Sequence, residues 1–104
     1  MNIGVDLVDI ERFKNKEFNF FKRFLHKNEI NFIQMQTSAD IKIIYVASIW
    51  AIKEAIFKAN NTYSQFNKIE IKRKNNHWWH ENFSISISHE KNLIVAFVVE
   101  KKEI

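Results

Sequence analysis

Apolar residues recur with two different periods along the chain, and the changes of period mark its elements. From Asn2 to Val8 the pattern alternates: Ile3, Val5 and Leu7 fall on one face, and Gly4, Asp6 and Val8 on the other, which predicts a strand. Apolar residues on both faces predict a central place in the sheet. Phe13, Phe20, Phe21, Phe24 and Leu25 then recur at helical spacing, with Asp9 as cap, Glu11 in the first turn and a break between Lys16 and Asn19. Asn28 is a candidate cap for a further helix carrying Ile30, Phe32, Ile33 and Met35. Ser38 or Asp40 opens the strongest helical segment, residues 40–59, which is apolar over most of its circumference and so predicts burial on several sides. The last third returns to alternation. Ile69 and Ile71 oppose Glu70, Lys72 and Lys74; Asn75-Asn76 predicts a hairpin turn; Phe83, Ile85 and Ile87 alternate with three serines. His89 to Asn92 predicts a turn before a final strand from Leu93 to Val99. One early strand, then helices, then three late strands predict an α+β fold with a largely antiparallel sheet and a long buried helix. A chain of 104 residues predicts a single domain, 1–104.

Composition narrows the function classes. With 46% hydrophobic residues and ten Phe the chain has the makings of a packed core. It has no cysteine, which excludes disulfides and thiolate metal sites, and one glycine, which excludes a glycine-rich phosphate loop. With no proline and only Gly4 to spare, Asn60-Asn61, Asn75-Asn76 and Asn92 are the candidates for left-handed turn positions. The longest apolar stretch, Ile41 to Ala59, carries Lys42, Lys53, Glu54 and Lys58, so no membrane span is predicted. The N-terminus lacks the pattern of a signal peptide, and the expected compartment is the cytoplasm. A net charge of +4 is compatible with nucleic acid, an anionic cofactor or an acidic protein. Lys14, Lys16, Lys22, Arg23 and Lys27 form a basic run among phenylalanines, read either as a solvated outer face or as a docking surface for an acidic partner.

Two acids break otherwise apolar segments: Asp6 in the first strand and Glu54 in the long helix. Burying a carboxylate is costly unless it is paired, hydrogen-bonded or metal-bound. A shared cation is one solution, and hard oxygen ligands suit Mg²⁺. The structural alternatives are a strand-end carboxylate bonded to backbone for Asp6 and an i, i+4 pair with Lys58 for Glu54. Ala47, Ala51, Glu54 and Lys58 share one line down the helix, which leaves room beside Glu54 and places Lys58 where it can meet a phosphate. Lys53 reads as solvated surface charge, His89 as a polar turn residue, and His77 and His80 as parts of an exposed hairpin.

Three segments in order resemble a known family. Ile3-Gly4-Val5-Asp6-Leu7-Val8-Asp9-Ile10-Glu11-Arg12, then Trp50 to Ala59 as W-x-x-K-E-A-x-x-K-A, then Ser84 to His89 as a strand ending in S-x-S-H, are similar to the signatures of the holo-acyl-carrier-protein synthases. Arg23-Phe24-Leu25 with Glu29 resembles the segment between. The resemblance implies a Mg²⁺-dependent 4'-phosphopantetheinyl transferase, cytoplasmic and serving fatty acid synthesis. Its substrate would be coenzyme A and its partner acyl carrier protein, with neither membrane nor nucleic acid involved. It implies Asp6 and Glu54 as metal ligands, and Asp6, Glu54 and Lys58 as the catalytic set. Lys58, His89 and Lys53 would meet coenzyme A. A homotrimer with active sites between subunits is also implied, with Arg12, Lys22 and Arg23 facing the acidic helix of the carrier. The chain departs from the family pattern at Ser48-Ile49, where Gly-Arg is usual, at Asn60 to Tyr63, where a glycine-containing loop is usual, and at Asn75 to Trp79, where Gly-Lys-Pro is typical. The alternative function is that of a diverged, non-catalytic relative that binds acyl carrier protein or an anionic polymer through its basic face.

Overall fold

The computed structural model describes residues 2–102; Met1, Glu103 and Ile104 of the predicted 1–104 span lie outside the described residues. Strand β1 (Ile3–Asp9) leads through a 3-10 turn (Ile10–Phe13) and a short helix α1 (Phe18–Phe21) to α2 (Lys27–Gln34) and the long α3 (Ala39–Ala59). A second 3-10 turn (Phe66–Lys68) precedes the hairpin β2 (Lys72–Lys74) and β3 (His77–Trp79), and then β4 (Phe83–Glu90) and β5 (Leu93–Glu100). β1, β5 and β4 form an antiparallel sheet in that order, and β2–β3 form a separate ribbon. The architecture is the α+β one that the pattern predicts.

α3 lies on one face of the sheet. Val8, Ile94, Ala96 and Val98 meet Ala47, Ala51, Ile52 and Ala55, all buried. The small helix residues let the strands approach closely, and Gly4 sits directly against the helix backbone at Ala55 and Ala59. Phe13, Phe21 and Phe24 form an aromatic cluster with ring centroids 6.0–6.4 Å apart, which closes the end of the core beneath the basic run.

Local chemistry sets most boundaries. Asp9 caps the first 3-10 turn by accepting from the Glu11 amide at 2.9 Å. Ser38 caps α3 through the Ile41 amide. Asn75 and Asn76 both take positive φ, 50° and 63°, as a two-residue hairpin turn requires.

Several expectations change. β1 is an edge strand, not a central one: Ile3, Val5 and Leu7 are exposed on the sheet face opposite α3. The cap of α2 is His26, not Asn28; its Nδ1 accepts from the Asn28 amide while Glu29 accepts from the His26 amide. Ile69 and Ile71 are buried but precede the strand, which covers only Lys72–Lys74. His89 belongs to β4, and Lys91, not Asn92, takes the left-handed turn at φ 54°. His80 is buried beside Tyr63 and Phe83 instead of standing on an exposed hairpin. No helix of the described residues is long and apolar enough to cross a membrane.

Candidate active site

Asp6 points toward α3 because it shares the strand face of Gly4 and Val8. Opposite it runs the line of Ala47, Ala51, Glu54 and Lys58. The Lys58 ammonium donates to Asp6 Oδ1 and to the Val5 carbonyl, both at 3.0 Å. Asp6 is largely covered, with its side chain 14% exposed, whereas Lys58 reaches outward. Glu54 stands beside this pair. Burial first, and then the charge of Asp6, hold its carboxyl above the ordinary carboxylate range, while Lys58 and Arg12 pull it back down.

Among the described residues, no group of three or more His, Cys, Asp or Glu side chains converges on a point. Asp6 and Glu54 are near enough for the charge of Asp6 to raise the Glu54 carboxyl. A pair fits Mg²⁺ in its commonest protein setting, in which one or two carboxylates bind the ion and phosphate oxygens and water complete the shell. The carboxylate repulsion felt at Glu54 is what such a cation relieves.

The other two predicted site residues lie elsewhere. His89 is on β4 and aligns across β5 with Ile94 and Val8. At about 4.8 Å per strand, β4 is about 10 Å from β1. It lines a groove of about 600 Å³ with Tyr45, Ser48, Arg73 and Trp78, formed by α3, β4 and the β2–β3 hairpin. Asp6, Glu54 and Lys58 line the opposite flank of α3. One protomer thus brings three of the predicted residues together and leaves His89 apart.

Lys53 corrects both expectations made for it. It is neither solvated nor free to reach coenzyme A: it is 0% exposed. Its ammonium donates to Glu29 Oε1 at 2.6 Å, to the Phe24 carbonyl at 2.9 Å and to the Phe66 carbonyl at 2.8 Å, which uses all three of its protons. Glu29, equally buried, also accepts from the amides of His26 and Ile71. Burial pushes the Glu29 carboxyl up and the Lys53 amine down, each opposed by the other's charge. Glu29, which enters the sequence reading only through the family resemblance, is thus a buried counter-ion. Its signal was the one that singled out Asp6 and Glu54, an acid next to Ile30, Phe32 and Ile33.

A larger groove, about 1010 Å³, lies on the side of the basic run. Phe13, Phe20, Phe24, Trp50 and Phe66 line it, with Arg12, Lys16, Arg23 and Lys68 among them. Arg23 and Lys16 stand over the Phe20 ring at 5.2 and 5.1 Å, so the cations are held against aromatic surface.

Comparison with known proteins bears on what this arrangement serves. Residues 2–99 match the family model described as the 4'-phosphopantetheinyl transferase superfamily. The chain is 48% identical over 101 residues to a holo-[acyl-carrier-protein] synthase from Mycoplasma mobile, covering 97% of this chain and 90% of that one. It is 47% identical over 96 residues to its counterpart from Mycoplasmopsis pulmonis, covering 92% and 86%. Among solved structures, the holo-(acyl-carrier-protein) synthase of Bacillus anthracis, in complex with CoA (3',5'-ADP), aligns with a TM-score of 0.81 at 27% identity over 98% of this chain and 96% of that one. The Neisseria meningitidis enzyme aligns with a TM-score of 0.77 at 25% identity over 97% and 98%. The chain belongs to the 4'-phosphopantetheinyl transferases and, within them, to the holo-[acyl-carrier-protein] synthases.

Proposed function

We propose that this chain transfers the 4'-phosphopantetheine arm of coenzyme A to a serine hydroxyl of apo-acyl carrier protein and releases 3',5'-ADP, in a Mg²⁺-dependent reaction. The observation that carries the reading is the placement of Asp6, Glu54 and Lys58 on one flank of α3. Asp6 and Glu54 are the residues that would hold Mg²⁺, which would supply charge neutralisation and orientation of the diphosphate. Glu54, with its raised pKa, is suited to take the serine proton, directly or through water. The serine oxygen forms a bond to the pantetheine-bearing phosphorus as the bond to the bridging diphosphate oxygen breaks. Lys58, already poised by Asp6 and the Val5 carbonyl, stabilises the departing phosphate.

The aromatic groove with its basic residues suits an acidic, amphipathic helix of the carrier. The separation of His89 from Glu54 within one protomer favours a site completed by a neighbour. The exposed apolar sheet face offers the surface for a homotrimer, which would bring His89 of one subunit toward the acids of the next. On this reading residues 1–104 act as one transferase domain, in the cytoplasm, serving fatty acid synthesis.

Intact-mass measurement of apo-acyl carrier protein after incubation with the protein, coenzyme A and Mg²⁺ tests the reading. The carrier should gain one phosphopantetheine, and Asp6→Ala and Glu54→Ala should each abolish the gain while retaining native circular dichroism. A carrier that binds but gains no mass with the wild type defeats the transferase reading and leaves the non-catalytic alternative.

A further inference from the structure

Trp50 stands between two walls of the aromatic groove, its ring 4.9 Å from the Phe24 centroid and 5.7 Å from that of Phe66, edge-on to both. The walls come from segments far apart in the chain: Phe24 precedes α2, and Phe66 opens the 3-10 turn after α3. Their backbone bonds are local, from the Phe24 amide to the Phe21 carbonyl and from the Ile69 amide to the Phe66 carbonyl. Lys53, one turn along α3 from Trp50 and on the same face, is what joins them. Its ammonium donates to the Phe24 carbonyl at 2.9 Å and to the Phe66 carbonyl at 2.8 Å. Its third proton goes to Glu29 Oε1, and the other oxygen of Glu29 is held by the Ile71 amide at 2.7 Å. The walls also carry charge to the groove, since Arg23 adjoins Phe24, Lys68 follows Phe66, and both line it. A lysine buried on this face costs desolvation that a leucine would not. The two carbonyl bonds are what an amine provides there and an apolar side chain cannot.

We propose that Lys53 is a positioning residue for recognition of the acidic partner: by holding the Phe24 and Phe66 carbonyls it sets the spacing of the two aromatic walls around Trp50, and with them the places of Arg23 and Lys68. It touches neither substrate and takes no part in the transfer. The inference rests on the carrier reading for the identity of the partner and adds the residue that fixes the shape of the groove. Spacing decides affinity because a docked apolar side chain gains most where it is closely packed and desolvated, and a displaced wall loses those contacts.

Two variants separate positioning from stability. Glu29→Gln leaves the amine buried without its counter-charge and so destabilises the protein, yet even an uncharged amine keeps N–H groups for both carbonyls. Lys53→Met combined with Glu29→Gln removes the charge pair together, and both carbonyl bonds with it. Calorimetry with apo-acyl carrier protein, without coenzyme A and at a temperature where melting curves show both variants folded, measures the consequence. The carrier Kd should rise about ten-fold or more in the double variant and stay within about two-fold of the wild type in Glu29→Gln. In the transfer assay the double variant should show the same rise in KM for the carrier, with kcat and the KM for coenzyme A changed by less than about three-fold. Acrylamide quenching of Trp50, made the sole tryptophan by Trp78→Phe and Trp79→Phe, should increase in the double variant and not in Glu29→Gln, a readout that needs no carrier. If the double variant binds the carrier as the wild type does, or if both variants lose affinity alike, the assignment is wrong. If the wild type binds no carrier while Trp50 opens only in the double variant, Lys53 still sets the groove and the carrier reading fails.

Discussion

Gly4 lies so close to α3 that a methyl group in its place would stand 1.8 Å from the Ala55 carbonyl oxygen and 3.0 Å from the Ala59 amide nitrogen. Both are backbone atoms, which cannot turn aside as a flexible side chain does. The glycine is required here for close approach and not for a left-handed turn, since no glycine has positive φ. Asp6, two residues on, faces the same helix. Gly4→Ala should therefore lower stability by more than ~2 kcal/mol, as overpacking of a tight contact does, and widen the gap between β1 and α3. Thermal denaturation should show a fall of at least about 8 °C for a chain of this size. A variant that melts with the wild type would mean that the strand shifts at no cost.

Lys53 joins three parts of the chain that are distant in sequence: Phe24 before α2, Glu29 within it and Phe66 after α3. Phe24 and Phe66 are also walls of the aromatic groove. Removing the amine leaves Glu29 buried without its counter-ion, a situation that costs about 3–5 kcal/mol. Lys53→Met should lower the urea midpoint by that amount of stability. Glu29→Gln added to it should restore part of the loss, because the orphaned charge goes with it. A Lys53→Met midpoint equal to the wild type's would contradict the buried bridge.

How far these features can be read from the chain follows from what each depends on. The Ser38 cap, the Asn75-Asn76 turn and the apolar circumference of α3 are local, and periodicity and side-chain chemistry announce them. Asp6, Glu54 and Lys58 were legible because they fall on strand and helix faces that must meet. Lys53 was not, since a lysine in an apolar helix looks the same whether it reaches solvent or three acceptors supplied by residues 24, 29 and 66. The edge position of β1 is hidden in the sequence for a related reason. Apolar residues on both faces of a strand record burial in whatever the strand finally contacts, and the face of Ile3, Val5 and Leu7 contacts nothing in the protomer. The separation of His89 from Glu54 depends on strand order, which no local pattern states.

Glu54 carries a direct pH prediction. Its carboxyl is held above the ordinary value of 4.5 by burial and by Asp6. The native protein thus binds this proton more tightly than the unfolded chain. The stability contributed by the group is complete below the unfolded pKa and is lost as pH rises through the folded one. Carbon-13 titration of the glutamate carboxyls, assigned with Glu54→Gln, should place Glu54 above the exposed glutamates. Asp6→Asn should bring it down, and Lys58→Met should raise it further. Mg²⁺ added with 3',5'-ADP should lower it. Glu54→Gln should also be more stable than the wild type at pH 7 while losing activity, the trade expected of a charge kept for chemistry. A Glu54 that titrates with the exposed glutamates removes the argument for it as the base.

The sheet face opposite α3 presents Ile3, Val5, Leu7, Leu93 and Phe97 to solvent in the protomer, beside the half-buried Val95 and Val99. Cross-strand register makes this one surface: Ile3 opposes Val99, Val5 opposes Phe97, Leu7 opposes Val95 and Asp9 opposes Leu93. Ser84, Ser86 and Ser88 continue it on β4. A contiguous apolar patch of this kind marks an association surface. On the proposed trimer, sedimentation equilibrium should give three copies for the wild type, and Leu7→Glu with Phe97→Glu should give a folded monomer without transferase activity. The loss is expected because α3 separates His89 from Asp6, Glu54 and Lys58 within each chain. Complementation sharpens the point. Asp6→Ala chains, inactive alone, and His89→Ala chains, weakened in donor binding, should together exceed the activity of either when dissociated and reassembled, since some interfaces then combine an intact Asp6 with an intact His89. If mixing restores nothing while both variants still form trimers, the site is completed within one chain and the two flanks of α3 serve separate ends of the reaction.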